Sequence, residues 1–245
     1  MQLIELRKKT RLLNETLANL EQRNEELHNF AFTAAHDLKS PLNNISGLLE
    51  MFNDSFASSV GKEGSVILEH IKDSTENLRN LISSLLKYSQ NNKLLKKDKT
   101  FIDVKKLEAD IRSLFSNTDG TMISFKSEID ELYANKTAII QILINLISNS
   151  IKYNDKDSTQ VEIGISENKD DYMFYVEDNG PGIDMEQRDK IFEIFTVLKS
   201  SDKFGKRGNG IGLATVKKLV LAFGGSIDIE SKKGLGSKFI FNIKK

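Results

Sequence analysis

Lys136-Thr-Ala-Ile-Ile-Gln141-Ile-Leu-Ile-Asn145-Leu-Ile-Ser-Asn149-Ser-Ile-Lys152-Tyr153 is the stretch whose reading decides the fold. Ile139, Ile140, Ile142, Leu143, Leu146, Ile147 and Ile151 bury most of the circumference of a helix with this sequence, so it needs a sheet or other helices around it. Gln141, Asn145, Asn149 and Lys152 recur at intervals of four, four and three and form one polar stripe. An ordinary solvent face would carry charge, yet none falls between Lys136 and Lys152. Neutral amide oxygens facing a cavity suit a hard ion that keeps several waters and takes its counter-charge from phosphates, as Mg2+ does. Lys152 is then placed to meet phosphate. The competing reading is a plain amphipathic helix.

Working outward from this helix, the pattern alternates between short strands and helices. Phe101 to Val104 reads as a strand and Lys105 to Phe115 as a helix. Met122 to Lys126 alternates with period two, and Val161 to Ser166 with Tyr172 to Glu177 reads as a hairpin. Leu213 to Phe223 returns to helix, followed by strands at Ser226 to Glu230 and Lys238 to Ile243. This predicts an α/β sandwich with helices on one face of a sheet.

Three glycine motifs punctuate it. Asp178-Asn179-Gly180-Pro181-Gly182 closes a strand. Its glycines permit positive φ and close backbone approach, and an inward Asp178 can accept a hydrogen bond from an adenine amino group; by itself the motif is also a good β-turn. Gly208-Asn209-Gly210-Ile211-Gly212 opens the helix at Leu213 and would present backbone N–H groups, aided by the helix dipole, to phosphate. It matches neither the dinucleotide fingerprint nor a P-loop. Gly234-Leu235-Gly236 precedes the last strand and also fits a hairpin turn. The connection from Asp184 to Arg207 is long. Phe192 and Phe195 are available to dock it, and a basic run beginning at Lys199 makes it a candidate lid or a plain surface loop.

Upstream the chain is helical. Leu6, Leu13, Leu20 and Leu27 lie seven apart, interleaved with Leu3, Thr10, Leu17, Asn24 and Ala31, as in a parallel coiled-coil seam; one surface helix is the alternative. The stripe continues through Ala34, Leu38, Leu42, Ile45, Leu49, Phe52 and Phe56. After a turn at Ser58 to Gly64 a second stripe runs from Ile67 to Tyr88, and a polar linker occupies Asn91 to Lys99. Two long helices with such narrow apolar faces predict a homodimer built on a four-helix bundle.

Within the first helix, His36-Asp37-Leu38-Lys39-Ser40-Pro41-Leu42 places His36 about 200° from Ala34, on the solvent side. Imidazole there is a usable nucleophile, although a lone exposed histidine is often only a solvated side chain. Asp37 can hold one ring nitrogen protonated, Ser40 lies one turn on, and Pro41 removes the N–H that the Asp37 carbonyl would accept, predicting a kink.

Bulk composition narrows the alternatives. The chain has 245 residues, no cysteine, and 35 basic against 35 acidic side chains. Thiol chemistry and thiolate metal sites are excluded, and no net field points to nucleic acid or an anionic membrane. No apolar run is long enough to span a bilayer, so no membrane contact is expected within this chain, and a cytoplasmic setting is expected whether or not a parent protein is membrane-attached. The heptads start at Leu3 with no sensor segment ahead, so a piece of a longer protein is expected.

The motifs together resemble the sensor histidine kinases of two-component systems. His36 to Leu42 resembles their phosphoacceptor box. Asn145 to Tyr153, Asp178 to Gly182, Phe192 with Phe195, Gly208 to Gly212 and Gly234 to Gly236 resemble, in order, the asparagine box, a glycine box, the phenylalanine box and two further glycine boxes. The resemblance implies a multidomain chain: a coiled-coil signalling helix at 1–21, a dimerisation and phosphotransfer hairpin at 22–97, and a Bergerat-type ATPase fold at 98–245. It implies ATP-dependent autophosphorylation on His36, with Asp37 as acid–base helper. Ser40 stands where relatives that also dephosphorylate their partner usually carry Thr or Asn, a departure, and its hydroxyl can still orient water. The phosphoryl group would then pass to an aspartate of a response-regulator receiver domain. Asn149 would bind Mg2+, with Asn145 and Lys152 near the phosphates; Tyr153 would line the adenine pocket and Asp178 bind its amino group. The backbones of Gly180, Gly182, Gly208, Gly210 and Gly212 would wrap the nucleotide. Thr196 and Val197 stand where many relatives carry arginine, so Lys199 or a later base is expected at the γ-phosphate. An ATPase that drives conformational change and a non-enzymatic dimeric scaffold are the rival readings.

Overall fold

The computed structural model describes residues 2–56, 59–95, 98–198, 203, 205 and 208–245. The chain divides into two compact units, Met1–Gln90 and Asn91–Lys245.

The first unit is a helical hairpin of α1 (Gln2–Phe56) and α2 (Lys62–Leu95). Among the described residues Ala35, Leu42 and Ile82 form a buried apolar cluster between them, with Leu85 and Leu86 packed at its edge. Arg79 Nη2 ties the two helices by donating to Ser46 Oγ at 2.6 Å. Of the stripe expected on α1, Leu42 meets α2 together with its neighbour Ala35, while Leu38 is exposed in the single chain. A single facing helix covers only a narrow strip of α1, so the broader stripe through Leu38, Ile45 and Phe52 stays uncovered in one chain. Leu6 and Leu13 are exposed as well; the side chains of Leu3, Leu17, Leu20, Asn24 and Leu27 lie outside the described residues. α2 also runs five residues into the expected linker, to Leu95, because Asn91-Asn92-Lys93 contains no glycine or proline to stop it. Pro41 lies inside α1, which continues through it.

The second unit contains β1 (Thr100–Asp103), α3 (Val104–Leu114), β2 (Thr121–Ser127), β3 (Glu131–Ala134), α4 (Lys136–Tyr153), β4 (Thr159–Glu167), β5 (Asp171–Asp178), α5 (Gly212–Ala222), β6 (Ile227–Lys232) and β7 (Gly236–Lys244), with single 3₁₀ turns at Met185–Gln187 and Lys190–Phe192. Five strands form one sheet in the order β2-β4-β5-β7-β6. β2 and β4 run parallel and the other pairs antiparallel. The alternating residues of β4, β5 and β7 send Ile163, Phe174, Val176, Phe239 and Phe241 into a core shared with Leu107 and Ile111 of α3, Ile142, Leu143, Leu146 and Ile147 of α4, and Val216 and Leu219 of α5. Phe174 and Phe241 stack with ring centroids 4.8 Å apart. The expected sandwich is therefore present.

β3 was not expected from the sequence; it pairs with β1 in a separate two-stranded ribbon. The ribbon delivers Asn135, whose side chain caps α4 by accepting from the Ala138 N–H at 3.0 Å. α4 thus enters the core with its first turn fixed, and its far end, carrying Asn145 to Tyr153, reaches the edge of the sheet where β5 ends.

Candidate active site

Residues from α4, the end of β5 and the start of α5 converge. Gly212 opens α5 with its Cα against both asparagines: a Cβ built there would lie 3.7 Å from Asn145 Oδ1 and from both polar atoms of the Asn149 amide. α5 has no side-chain N-cap, since Ile211 holds that position, so its first N–H groups are left to be satisfied by something other than the helix. Asn145 Nδ2 is buried without a hydrogen-bond partner among the described residues. An unpartnered buried amide beside an uncapped helix N-terminus fits an anion with its counter-ion, and the neutral donor set fits Mg2+ better than a softer metal.

Tyr153, at the end of α4, reaches the second glycine motif: its hydroxyl lies 2.0 Å from where a Gly208 Cβ would stand. Gly210 has φ of 63°, which favours glycine, and backs directly onto the main chain of Phe195 and Thr196, an approach that leaves no room for a Cβ. Of the two phenylalanines expected to dock this region, Phe192 does so, packing edge-on against Phe239. Phe195 does not; it is 55% exposed, with its N–H donated to the Gly210 carbonyl at 2.9 Å. The Lys152 side chain is exposed, and its carbonyl accepts from the Lys203 N–H at 2.8 Å. Lys199 lies outside the described residues, as do most of the basic positions after it.

Asp178 closes β5. Its Oδ1 accepts from the Gly180 N–H at 2.8 Å and its Oδ2 lies 3.1 Å from Ser150 Oγ. Burial pushes the carboxyl above the usual range, against these bonds and one from the Ser237 N–H. Gly182 has the left-handed φ its motif implied, whereas Gly180 does not; its tight fit against the Asp178 carboxylate excludes a side chain instead.

Sequence reasoning missed three residues. Ser150 follows Asn149 but turns inward to Asp178. Asn179 accepts from the Gln160 N–H and from Asn154 Nδ2, and donates to the Ser158 carbonyl, so it pins the end of α4 to the sheet. Asn154, buried, also accepts from the Lys156 N–H. Their signal was only the asparagine content of two turns.

In the helical unit the His36 side chain is 72% exposed, with Nδ1 3.2 Å from Asp37 Oδ1. Ser40 is exposed on the same helix.

Two family models match the chain. Residues 26–93 match the His Kinase A (phospho-acceptor) domain, and residues 134–245 match the histidine kinase-, DNA gyrase B- and HSP90-like ATPase. The chain belongs to the sensor histidine kinases. It carries both parts of a histidine kinase core: two long helices with the phospho-acceptor match, followed by the α/β ATPase domain. Among curated relatives, cyanobacterial phytochrome B of a Nostoc species is 35% identical over 92% of this chain and 30% of its own length. The sensor protein KdpD of Clostridium acetobutylicum is 32% identical over 89% of this chain and 24% of its own. The chain thus spans about 30% of the length of the first curated relatives it matches. Among solved structures, the catalytic domain of the histidine kinase ThkA aligns at a TM-score of 0.52 with 26% identity, over 61% of this chain and 99% of that one. Full-length ShkA in complex with AMPPNP shares the fold at a TM-score of 0.64 with 23% identity, over 87% of this chain and 45% of that one. Among the described residues no helix of this histidine kinase core is long and apolar enough to cross a membrane.

Proposed function

We propose that this kinase core phosphorylates itself on His36 with ATP and passes the phosphoryl group to an aspartate of a response-regulator receiver domain. The observation that carries the reading is the exposed His36 imidazole with a carboxylate on Nδ1: Asp37 holds the Nδ1–H tautomer and leaves the Nε2 lone pair free. Nε2 attacks the γ-phosphorus; the N–P bond forms as the bond from phosphorus to the bridging oxygen breaks, and ADP leaves. The ring gains positive charge, which Asp37 stabilises, accepting the Nδ1 proton.

In the ATP-binding unit Asp178 receives the adenine amino group, Tyr153 lines the base, and the uncapped start of α5 with the backbones of Gly208, Gly210 and Gly212 holds the phosphates. Gly180 and Gly182 shape the loop beside the base. Asn149, with Asn145 and Lys152 close to the phosphates, would hold Mg2+, which offsets the phosphate charge when bound. Lys199 is the proposed γ-phosphate contact and Ser40 the residue that orients water when the partner is dephosphorylated.

The uncovered apolar face of α1 and α2, with Leu48 65% and Met51 67% exposed, supports a homodimer through a four-helix bundle. Residues 1–21 act as a signalling coiled coil, 22–97 as the dimerisation and phosphotransfer part and 98–245 as the catalytic part, working in the cytoplasm. Incubation with γ-labelled ATP and Mg2+ tests the reading. An acid-labile label lost in His36→Gln is expected; steady phosphate release with no label on the protein rejects it in favour of an ATPase.

A further inference from the structure

Ser150 lies one residue beyond Asn149 but on the buried side of α4. Its Oγ is 3.1 Å from the Leu146 carbonyl oxygen and 3.1 Å from Asp178 Oδ2. A hydroxyl has one proton, so it cannot donate to both acceptors at once. When Asp178 is ionised, the Ser150 proton turns to Oδ2. When Asp178 is neutral, its own proton is given to Ser150 Oγ, and the Ser150 proton goes to the Leu146 carbonyl. In either state the proton between the two side chains lies on the protein side. The oxygen edge that Asp178 turns outward keeps only lone pairs, since its remaining bonds come from the Gly180 and Ser237 N–H groups.

We propose that Ser150 is a positioning residue that makes Asp178 an acceptor toward the base in both of its protonation states, and so selects a 6-amino purine over a 6-oxo purine. The proposal rests on the reading that Asp178 receives the base. Without the Ser150 oxygen, a protonated Asp178 is free to turn its O–H outward and donate to a 6-oxo group. Besides Ser150 from α4, the groups acting on Asp178 are the N–H groups of Gly180 and Ser237 and the like charge of Glu177, none of which replaces that proton acceptor. Burial raises the Asp178 carboxyl above its usual range, which moves the neutral state toward higher pH.

Calorimetric titration of the full chain with ADP and with IDP, at pH 5.5 and at pH 8, tests this in the wild type, Ser150→Ala and Ser150→Thr. Wild type is expected to prefer ADP at both pH values. Ser150→Ala should keep the preference at pH 8 and lose about ten-fold of it at pH 5.5, the equivalent of one neutral hydrogen bond, and Ser150→Thr should restore it. A loss of affinity equal for both nucleotides, as a purely structural change would give, overturns the proposal. So does a Ser150→Ala ratio that follows wild type at both pH values. A wild type that binds ADP and IDP equally overturns the base reading of Asp178 itself, and the proposal with it.

Discussion

The Tyr175 ring lies across Gly164 on the outer face of the sheet. The two are directly paired between β4 and β5, and a Cβ at Gly164 would stand 1.8 Å from the ring. The ring fills the gap that the missing side chain leaves. Its hydroxyl donates to Glu162 Oε1 at 2.6 Å, Lys238 Nζ sits 4.1 Å from its centroid, and Lys126 pairs with the same glutamate at 2.8 Å. The bond to Glu162 raises the Tyr175 phenol to about 12. Gly164→Ala forces the ring off the sheet and breaks this ladder. Urea denaturation should show a loss of about 1–3 kcal/mol, the usual cost of overpacking; an unchanged midpoint would show the ring is free to move aside.

The raised carboxyl of Asp178 makes a pH prediction with a definite sign. A group whose folded pKa lies above its unfolded value adds stability below the unfolded pKa, and that contribution is lost as pH rises through the folded pKa. Above its folded pKa the ionised Asp178 is therefore a cost to the nucleotide-free protein. In Asp178→Asn the amide can donate to Ser150 Oγ while its oxygen keeps the Gly180 N–H, so every partner is retained without the charge. The variant should melt higher than wild type at pH 7 in the absence of nucleotide and gain little from added ATP. In wild type, ATP affinity should fall as pH drops through the raised pKa. A variant that melts lower at pH 7 would contradict this account.

How far the sequence could be read depended on the range of the forces involved. The order of strands and helices after Phe101 was legible because burial imposes periods of two and 3.6 along the chain, and α4 was the clearest case because its uncharged asparagine stripe had no solvent explanation. β3 was not legible: it is held by its pairing with β1, a long-range contact that no local pattern announces. The inward turn of Ser150 was hidden because a serine beside Asn149 reads equally as surface. On α1, periodicity located an apolar stripe but could not say which part of it meets α2 and which part stays uncovered, since Ala35 and Leu42 lie next to Leu38 on the helix surface.

That uncovered stripe makes the oligomeric state testable. Ile45 and Phe52 are two turns apart and both exposed in the single chain. Replacing both, Ile45→Glu with Phe52→Glu, puts two charges on the face assigned to the partner, where a buried unpaired charge is prohibitive. Sedimentation should show wild type as a dimer and the double variant as a monomer with its ATP affinity unchanged. A wild type that sediments as a monomer at micromolar concentration would remove the bundle.

Asp37 should act on the chemistry and not on binding. Its carboxylate meets His36 Nδ1 on an exposed helix surface, in the helical unit and not among the ATP-binding residues. Asp37→Ala should slow labelling of His36 by roughly 10²–10⁴, the range for one positioned acid–base group, and leave the dissociation constant for ATP as it was. Labelling at the wild-type rate would leave Asp37 with no part in orienting the ring.

Tyr153 and Gly208 supply a double-mutant test. A Gly208 Cβ would meet the Tyr153 hydroxyl at 2.0 Å, and the next nearest atoms are the ring carbon bearing that hydroxyl at 3.4 Å and a Val197 methyl at 3.7 Å. Among the described residues Gly208→Ala therefore has one obstacle, a single oxygen atom. The substitution should weaken ATP binding by moving Tyr153 or the glycine loop away from its place. Tyr153→Phe removes the obstacle but also takes the phenol oxygen out of the proposed pocket lining, so by itself it should weaken binding too. Together the two changes should cost less than the sum of the singles, with a coupling of about 1–2 kcal/mol in ATP affinity. Strict additivity would mean that the tyrosine and the glycine loop do not share this contact when ATP is bound.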